Sequence, residues 1–429
     1  MKGKVAVLIL SLVGVVAFAC NGGDGGGPLT SSPATTARVT ATPAATSTPV
    51  APSTSATPGS TVVSGAGEIA YFGPDGADIW LINSDGSGQR KLTEGQCQQA
   101  AGPFWSRGGD KIACASGGTS DAPQTKIAVF DLEGQTLAEV EQQAFLRSFA
   151  WSADGRHFVY AIAEGEALDT ARPTLLIGDT DSEATVRLED AQDPRWSPDG
   201  TQLAYMKTAG EELTIYDLAS GQGRSLPQGL RPVAWALGGK ALLVAAGYKQ
   251  QDVGFEYEAS LLDVASGEMT RVAELDNGTQ FWLTRDGQRA AFLAGPAERT
   301  EGGVTISIID LATHKVTPIE GAVVGYPSEA IPGDHIAWSP DGAFVYWIDV
   351  VASDQDISGT IYRARSDGSG STQLAVLSGI VFNLSPDRTK VLYYDGTGLS
   401  VAGVDGSDVR SLVQGAGGRW PPAVWRPLP

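Results

Sequence analysis

From Glu68 onward, short apolar runs alternate with turns rich in Asp, Gly and Ser. Each repeat carries a short apolar strand, as in Gln202-Leu203-Ala204-Tyr205, Phe344-Val345-Tyr346-Trp347 and Lys390-Val391-Leu392-Tyr393. A second set ends in Asp and a turn: Ile127 to Asp131, Leu213 to Asp217 and Ile306 to Asp310. A further short strand follows, as in Gly223-Arg224-Ser225-Leu226. A repeated pentapeptide precedes each first run. Its clearest copies are Trp196-Ser197-Pro198-Asp199-Gly200 and Trp338-Ser339-Pro340-Asp341-Gly342. Weaker copies begin at Trp105, Trp151 and Trp235, and two more carry Leu283 and Leu384 at the Trp position. Successive copies lie 39 to 55 residues apart. Four short strands per unit of that length predict an all-β fold, a β-propeller of four-stranded blades.

The ends fix the blade number. The first unit starts at Ile69-Ala70-Tyr71-Phe72 and lacks its Trp-bearing strand. Ala423-Val424-Trp425 supplies such a strand and has no partners after it. Trp425 keeps the repeat spacing after Leu384, so both termini are expected to build one composite blade. That blade and the seven internal copies make eight. Seven is the alternative, should the copy at Leu283 or Leu384 be irregular.

The segment before Glu68 has a different pattern. Lys2 and Lys4 precede an apolar run from Val5 to Val16, then Ala17-Phe18-Ala19-Cys20. A basic start, a short apolar stretch and a small-residue exit describe a secretory signal over 1–19. The segment resembles a bacterial lipoprotein signal, which implies that Cys20 becomes the lipidated N-terminus. Ala17-Phe18-Ala19 is also a plain A-x-A site, and both readings cleave before Cys20. Residues 20–64 are expected to be the lipidated cysteine and an extended Gly/Thr/Ser/Pro/Ala tether, because almost nothing there could build a core. The propeller domain is assigned to 65–429.

The Trp-Ser-Pro-Asp-Gly turn, the Leu-Ala-Tyr strand and Asn83-Ser84-Asp85-Gly86-Ser87-Gly88 resemble TolB-like, WD40-like bacterial propeller repeats. The resemblance implies the fold and leaves the function open. TolB itself has six blades and a separate N-terminal domain, whereas this chain has the tether and more repeats. Similar repeats occur in the non-catalytic propellers of prolyl-oligopeptidase-type peptidases.

Composition narrows the partners. Lys and Arg number 30 against 49 Asp and Glu, a formal net charge of −19. That acid excess argues against nucleic acid, which needs a basic face. The Asp-Gly pairs, and Asp131, Asp217, Asp263 and Asp310 at strand ends, are read as turn formers. Asp179-Thr180-Asp181 and Asp354-Gln355-Asp356 lack the distal Glu of a calcium loop. His157, His314 and His335 have no zinc spacing, and no G-x-S-x-G elbow occurs. No catalytic residue, metal ligand or cofactor is assigned.

With Cys20 set aside, Cys97 and Cys114 remain, an even pair in an exported protein and hence a disulfide candidate. Propeller geometry places the short Asp-Gly turns on one face. The long, irregular loops, including Gly247 to Glu258, Gly295 to Gly303 and Ile319 to Asp334, fall on the other. Tyr248, Lys249, Phe255, Tyr257, Arg299 and Tyr326 are the binding-face candidates there, with the aromatic and cationic character of interface anchors. The expected function is non-enzymatic: a monomeric lipoprotein of the cell envelope whose propeller binds a protein, peptide or glycan. It would contact the membrane through its lipid only, on the outer face of the cytoplasmic membrane or on the outer membrane. The alternative is a propeller enzyme with a channel site, a lyase or glycan-active hydrolase.

Overall fold

In the computed structural model the repeats form eight four-stranded antiparallel sheets. The structure describes residues 67–428 apart from 74–75, 98–99, 117–123, 166–171, 183, 252–253, 277–280, 295–303, 325–335, 353–356 and 415–422. Backbone alone is described at 247–251, at 254–257 and at a few strand ends. Blade 1 is composite: Ala423–Trp425 pairs with Glu68–Phe72, followed by Ile79–Asn83 and Arg90–Lys91. Its register sets Ile69 opposite Trp425 and Tyr71 opposite Ala423. Blades 2 to 8 begin with Ala100–Trp105, Phe145–Trp151, Ala191–Trp196, Arg231–Ala236, Phe281–Leu283, Ile336–Trp338 and Ile380–Leu384. The copies at Leu283 and Leu384 therefore form full blades, and the count is eight.

The first strand of each blade is the innermost. First strands of successive blades pack against one another, for example those of blades 3, 4, 5, 6 and 7 in turn. Fourth strands lie outermost, and Gln222–Gln228 is exposed at all but one position. A strand buried on both faces packs its alternate side chains against two neighbouring blades. The apolar core is accordingly divided into eight clusters, one per junction. Ala113, Ile127 and Val129 of blade 2 meet Phe158, Tyr160 and Ile162 of blade 3. At the closing junction Ile69 and Tyr71 meet Leu392, Val401 and Trp425.

The repeated Trp adds a directional bond to each apolar junction. A buried indole N–H needs an acceptor. The acceptor is the carbonyl one residue before the equivalent Trp or Leu of the preceding blade. Trp151 Nε1 donates to Phe104 O at 3.0 Å, Trp196 to Ala150 O at 3.2 Å and Trp235 to Arg195 O at 2.9 Å. Trp338 donates to Trp282 O at 2.7 Å. The two bonds across the chain termini, Trp105 to Val424 O and Trp425 to Asn383 O, are both 3.3 Å.

The two Leu blades cannot make this bond and are held otherwise. At Leu283 the backbone N–H of Leu237 in blade 5 donates to Gly287 O at 3.0 Å. At Leu384 the residue in the glycine position of the turn is Arg388, with φ of 60° where Gly200 has 74°. Its Nε donates to Trp338 O at 2.8 Å and its Nη1 to Ser385 O at 2.9 Å. The guanidinium thus reaches the preceding blade's inner strand where an indole would have done so.

Three outcomes test this packing. Arg388→Gly restores the repeat's usual residue and relieves a left-handed conformation costing about 1 kcal/mol. It should nevertheless lower the urea midpoint, since it removes several charge-assisted bonds each contributing roughly 1.5–3 kcal/mol. Trp425→Ala should cost about 3–5 kcal/mol, the range for a buried aromatic. Deleting Ala423 to Pro429 should melt far below the parent and expose sheet edges to aggregation in light scattering.

Candidate functional site

The polar side chains of the repeats are largely committed to turns. In the Ser-x-Asp-Gly turn the serine is buried and its hydroxyl donates to the aspartate: Ser197 to Asp199 at 2.6 Å and Ser339 to Asp341 at 2.6 Å. The same Oγ accepts the backbone N–H that opens the next strand, Gln202 N to Ser197 Oγ at 2.9 Å. The Asp199 carboxylate also takes the Thr201 N–H at 3.1 Å. Thr284 and Asp286 reproduce the pair in the Leu283 blade, and Ser385 and Asp387 in the Leu384 blade. In blade 2, whose turn reads Ser106-Arg107-Gly108-Gly109, Asp110 moves one place along to meet Ser106 at 2.8 Å.

Aspartates at the second turn of each blade act in the same way. Asp217 accepts the N–H and hydroxyl of Ser220 at 2.9 and 2.7 Å, and Asp310 those of Thr313 at 2.8 Å each. Asp263 receives Ser266 and Asp131 the N–H groups of Glu133 and Gln135. Hydrogen bonds favour the ionised form. The Ser197 hydroxyl holds Asp199 below the usual carboxylate range, and the Thr284 hydroxyl does the same for Asp286. The Ser339 hydroxyl lowers Asp341, and the Ser220 hydroxyl lowers Asp217.

Asp179 and Asp181 face an arginine. Arg156 donates to Asp179 Oδ2 from Nε at 3.1 Å and from Nη2 at 3.0 Å, with Asp181 at 3.6 Å. His157, first residue of the second strand of blade 3, stands 3.5 Å from Asp179 and 3.8 Å from Asp154. Among the described residues no three His, Cys, Asp or Glu side chains converge as a metal set. Asp354, Asp356 and His335 lie outside the described residues.

Cys97 and Cys114 are disulfide-bonded, with Cα atoms 5.8 Å apart. Both are buried, Cys97 in the connection leaving blade 1 and Cys114 in the second strand of blade 2. The bond ties the three N-terminal strands of the composite blade to its neighbour.

Of the binding-face candidates, Arg299 and Tyr326 lie outside the described residues, as does Cys20. Tyr248 and Lys249 fall in the strand Ala241–Gln251, and Phe255 and Tyr257 in Gly254–Asp263. The segment expected to be an irregular loop is therefore a paired hairpin, with Lys249 opposite Glu256 and Gln250 opposite Phe255. Its polar and aromatic residues fit a strand as well as a loop, and the pairing extends these two strands to 11 and 10 residues.

Sequence reasoning passed over two features of the inner strands. All five inner strands described over five or more residues carry a register shift ahead of the Trp or Leu position. The shifts lie between Ala101 and Phe104, Leu146 and Ser148, Gln192 and Arg195, Pro232 and Ala234, and Val381 and Asn383. Bulges re-aim side chains and recur beside functional sites. The second feature is charge: among the described residues of the inner strands, Arg147, Asp193, Arg195 and Arg231 are the charged ones, all on blades 3 to 5. Arg195 is taken up by scaffolding, donating to Val233 O at 2.7 Å and Pro194 O at 2.9 Å.

No protein-family model matches the chain, and no curated protein does. Solved structures do. A crystal structure of a eukaryotic initiation factor aligns with a TM-score of 0.54 at 15% identity, covering 85% of this chain and 99% of that one. Dipeptidyl peptidase 4 of Porphyromonas gingivalis aligns with a TM-score of 0.55 at 15% identity, over 80% of this chain and 58% of that one. TolB from Acinetobacter baumannii gives 0.35 at 18% identity, over 74% of this chain and 83% of that one. At such identities the likeness shows the fold alone. The chain is an eight-bladed β-propeller, and a fold shared by a peptidase and an initiation factor does not choose a chemistry.

The turn aspartates set an acid limit. The folded pKa values of Asp199, Asp217, Asp286 and Asp341 are depressed, so their stabilisation is complete above the unfolded carboxylate pKa of about 3.9 and is lost as pH falls through the lower folded values. Urea midpoints should hold steady from neutrality to about pH 5 and then drop steeply. A midpoint that rises on acidification would contradict the assignment.

Proposed function

We propose that the protein is an exported lipoprotein, acylated at Cys20, whose propeller is held off the membrane by residues 21–64 and serves as a rigid platform for a protein, peptide or glycan. The observation that carries the platform reading is where the polar groups go. Among the described residues, the Ser, Thr and Asp side chains of the repeated turns are used to build the turns. Among the described residues, the inner strands contribute one carboxylate, Asp193, rather than the facing pair that glycoside hydrolysis uses. A rigid scaffold with longer segments on one face is the arrangement in which binding resides on loops. The blade 5 hairpin, with Tyr248, Lys249, Phe255 and Tyr257, is the foremost binding element under this reading.

Two measurements test it. Cys20→Ser should move the protein from the membrane fraction to the soluble fraction, or leave the precursor unprocessed. An unmodified mature Cys20 in mass spectrometry would end the lipoprotein reading. Cross-linking in the native envelope should capture a partner with the parent chain. Joint replacement of Tyr248, Phe255 and Tyr257 by Ser should lose that partner while leaving the melting temperature near the parent's. Turnover of a glycan or peptide by the purified chain, abolished by Asp193→Asn, would instead make the protein a channel enzyme.

A further inference from the structure

In blades 1 to 4 and 8 the first strand pairs along the second to its last or next-to-last residue. It reaches Ser116 in blade 2, Lys207 in blade 4 and Tyr394 in blade 8, each the end of its second strand. In blades 1 and 3 it reaches Tyr71 and Ala163, one short of the end. Blade 5 differs. Its first strand ends its pairing with Arg231 opposite Ala245, whereas the second strand runs on to Gln251. Ala246 to Gln251 pair on their outer side with Gly254 to Glu258. Among the described residues no strand pairs with them on the inner side. Blades 6 and 7 also overrun, but the chain entering their first strands lies outside the described residues. The chain entering blade 5 is described. It leaves the outer strand of blade 4, Gln222–Gln228, and the Gly229 N–H bonds Glu211 O at 2.9 Å. Leu230 is then buried, and the chain does not run along Ala246 to Gln251.

An unpaired strand edge presents a row of backbone N–H and C=O groups and is a template for another strand. A bulge interrupts this one, where Gly247 and Tyr248 both fall opposite Tyr257. Lys249 to Gln251 are regular against Glu256 to Gly254. No proline blunts the edge, and Lys249 is its one charged residue. The sheet behind it is acidic. Glu256, Glu258, Glu274 and Asp276 lie in register there, against Lys249 on the edge itself. The nearest further cation in these strands, Arg271, is paired with Glu258 at 3.2 Å. On a chain of net charge −19, that local excess gives the edge a field that attracts cations.

We propose that the inner edge of Ala246 to Gln251 takes an extended basic peptide segment as an added strand. Main-chain hydrogen bonds hold the guest, and its alternate side chains fall on the two faces of the enlarged sheet. The acidic strands behind the edge select a basic segment over an acidic one. The inference rests on the platform reading and narrows its partner to an extended basic segment of a protein or peptide.

The test is fluorescence anisotropy of the full chain with three labelled probes. They are an acetylated octapeptide alternating Lys and Val, its Glu–Val counterpart, and the Lys–Val peptide methylated at every backbone nitrogen. The first should bind, more weakly as salt rises, and the other two roughly tenfold or more less tightly. Amide exchange at Lys249 to Gln251 should slow when the Lys–Val peptide is bound. Ala246 and Glu258 already face each other, so Asn-Gly in place of residues 247–257 closes the hairpin with a two-residue turn. That variant should lose the peptide and keep the parent's melting temperature. Glu256→Lys with Glu274→Lys leaves the strands in place and should weaken the Lys–Val peptide roughly tenfold. No binding by the Lys–Val peptide, equal binding by its methylated form, or unchanged binding by the shortened hairpin overturns strand addition. Equal binding by the Glu–Val peptide overturns the basic partner. If strand addition fails while the Tyr248, Phe255 and Tyr257 variant still loses its envelope partner, the platform reading stands without it.

Discussion

The bond from a tryptophan indole to the inner-strand carbonyl of the preceding blade is the interaction on which this ring depends. Six of the eight junctions have it. Apolar packing between blades is strong but not directional. It would allow a blade to slide or tilt against its neighbour. An indole N–H fixed to one carbonyl sets the height and angle of each blade relative to the last. Where the indole is buried, as for Trp235, Trp338 and Trp425, leaving the donor without an acceptor would cost more than the bond itself contributes. The repeat therefore keeps a residue that is both the largest apolar body and a single donor. Arg388 and Leu237 supply donors at the two junctions that lack the Trp.

Turn chemistry complements this. In blades 3, 4 and 7 the inner strand ends at its Trp, and the Ser-x-Asp-Gly turn immediately follows. The buried serine accepts from the next strand and donates to the aspartate, so the turn geometry is rigid where the indole must be aimed. Acidic residues are thus concentrated on turns, where hydrogen bonds keep them ionised. Much of the chain's negative charge is structural in this sense, which fits the finding that no three His, Cys, Asp or Glu side chains converge as a metal set among the described residues.

Fold, blade number and closure were legible in the sequence because each rests on a local signature repeated at a constant interval. Trp425 could be placed beside Ile69 from spacing alone, and the register confirms the pairing. Turn roles for Asp199 and Asp217 were legible for the same reason. Arg388 was not: in the sequence it marks a degraded repeat, and only the neighbouring blade reveals it as a substitute donor. The bulges at Arg147 and Val233 were equally hidden, since they show only in the pairing of each inner strand with its neighbour. The blade 5 hairpin was misjudged as a loop because Tyr248 to Tyr257 mixes charged and aromatic residues, which suit a long hairpin as readily as an irregular segment.

The claim that indole bonds stitch the ring is most directly tested by hydrogen exchange at tryptophan Nε1, followed by NMR on indole-labelled protein. The account predicts that Trp105, Trp151, Trp196, Trp235, Trp338 and Trp425 exchange slowly and together, because each N–H is released only when the ring opens. Independent exchange of these six at the rate of a solvent-exposed indole would contradict it.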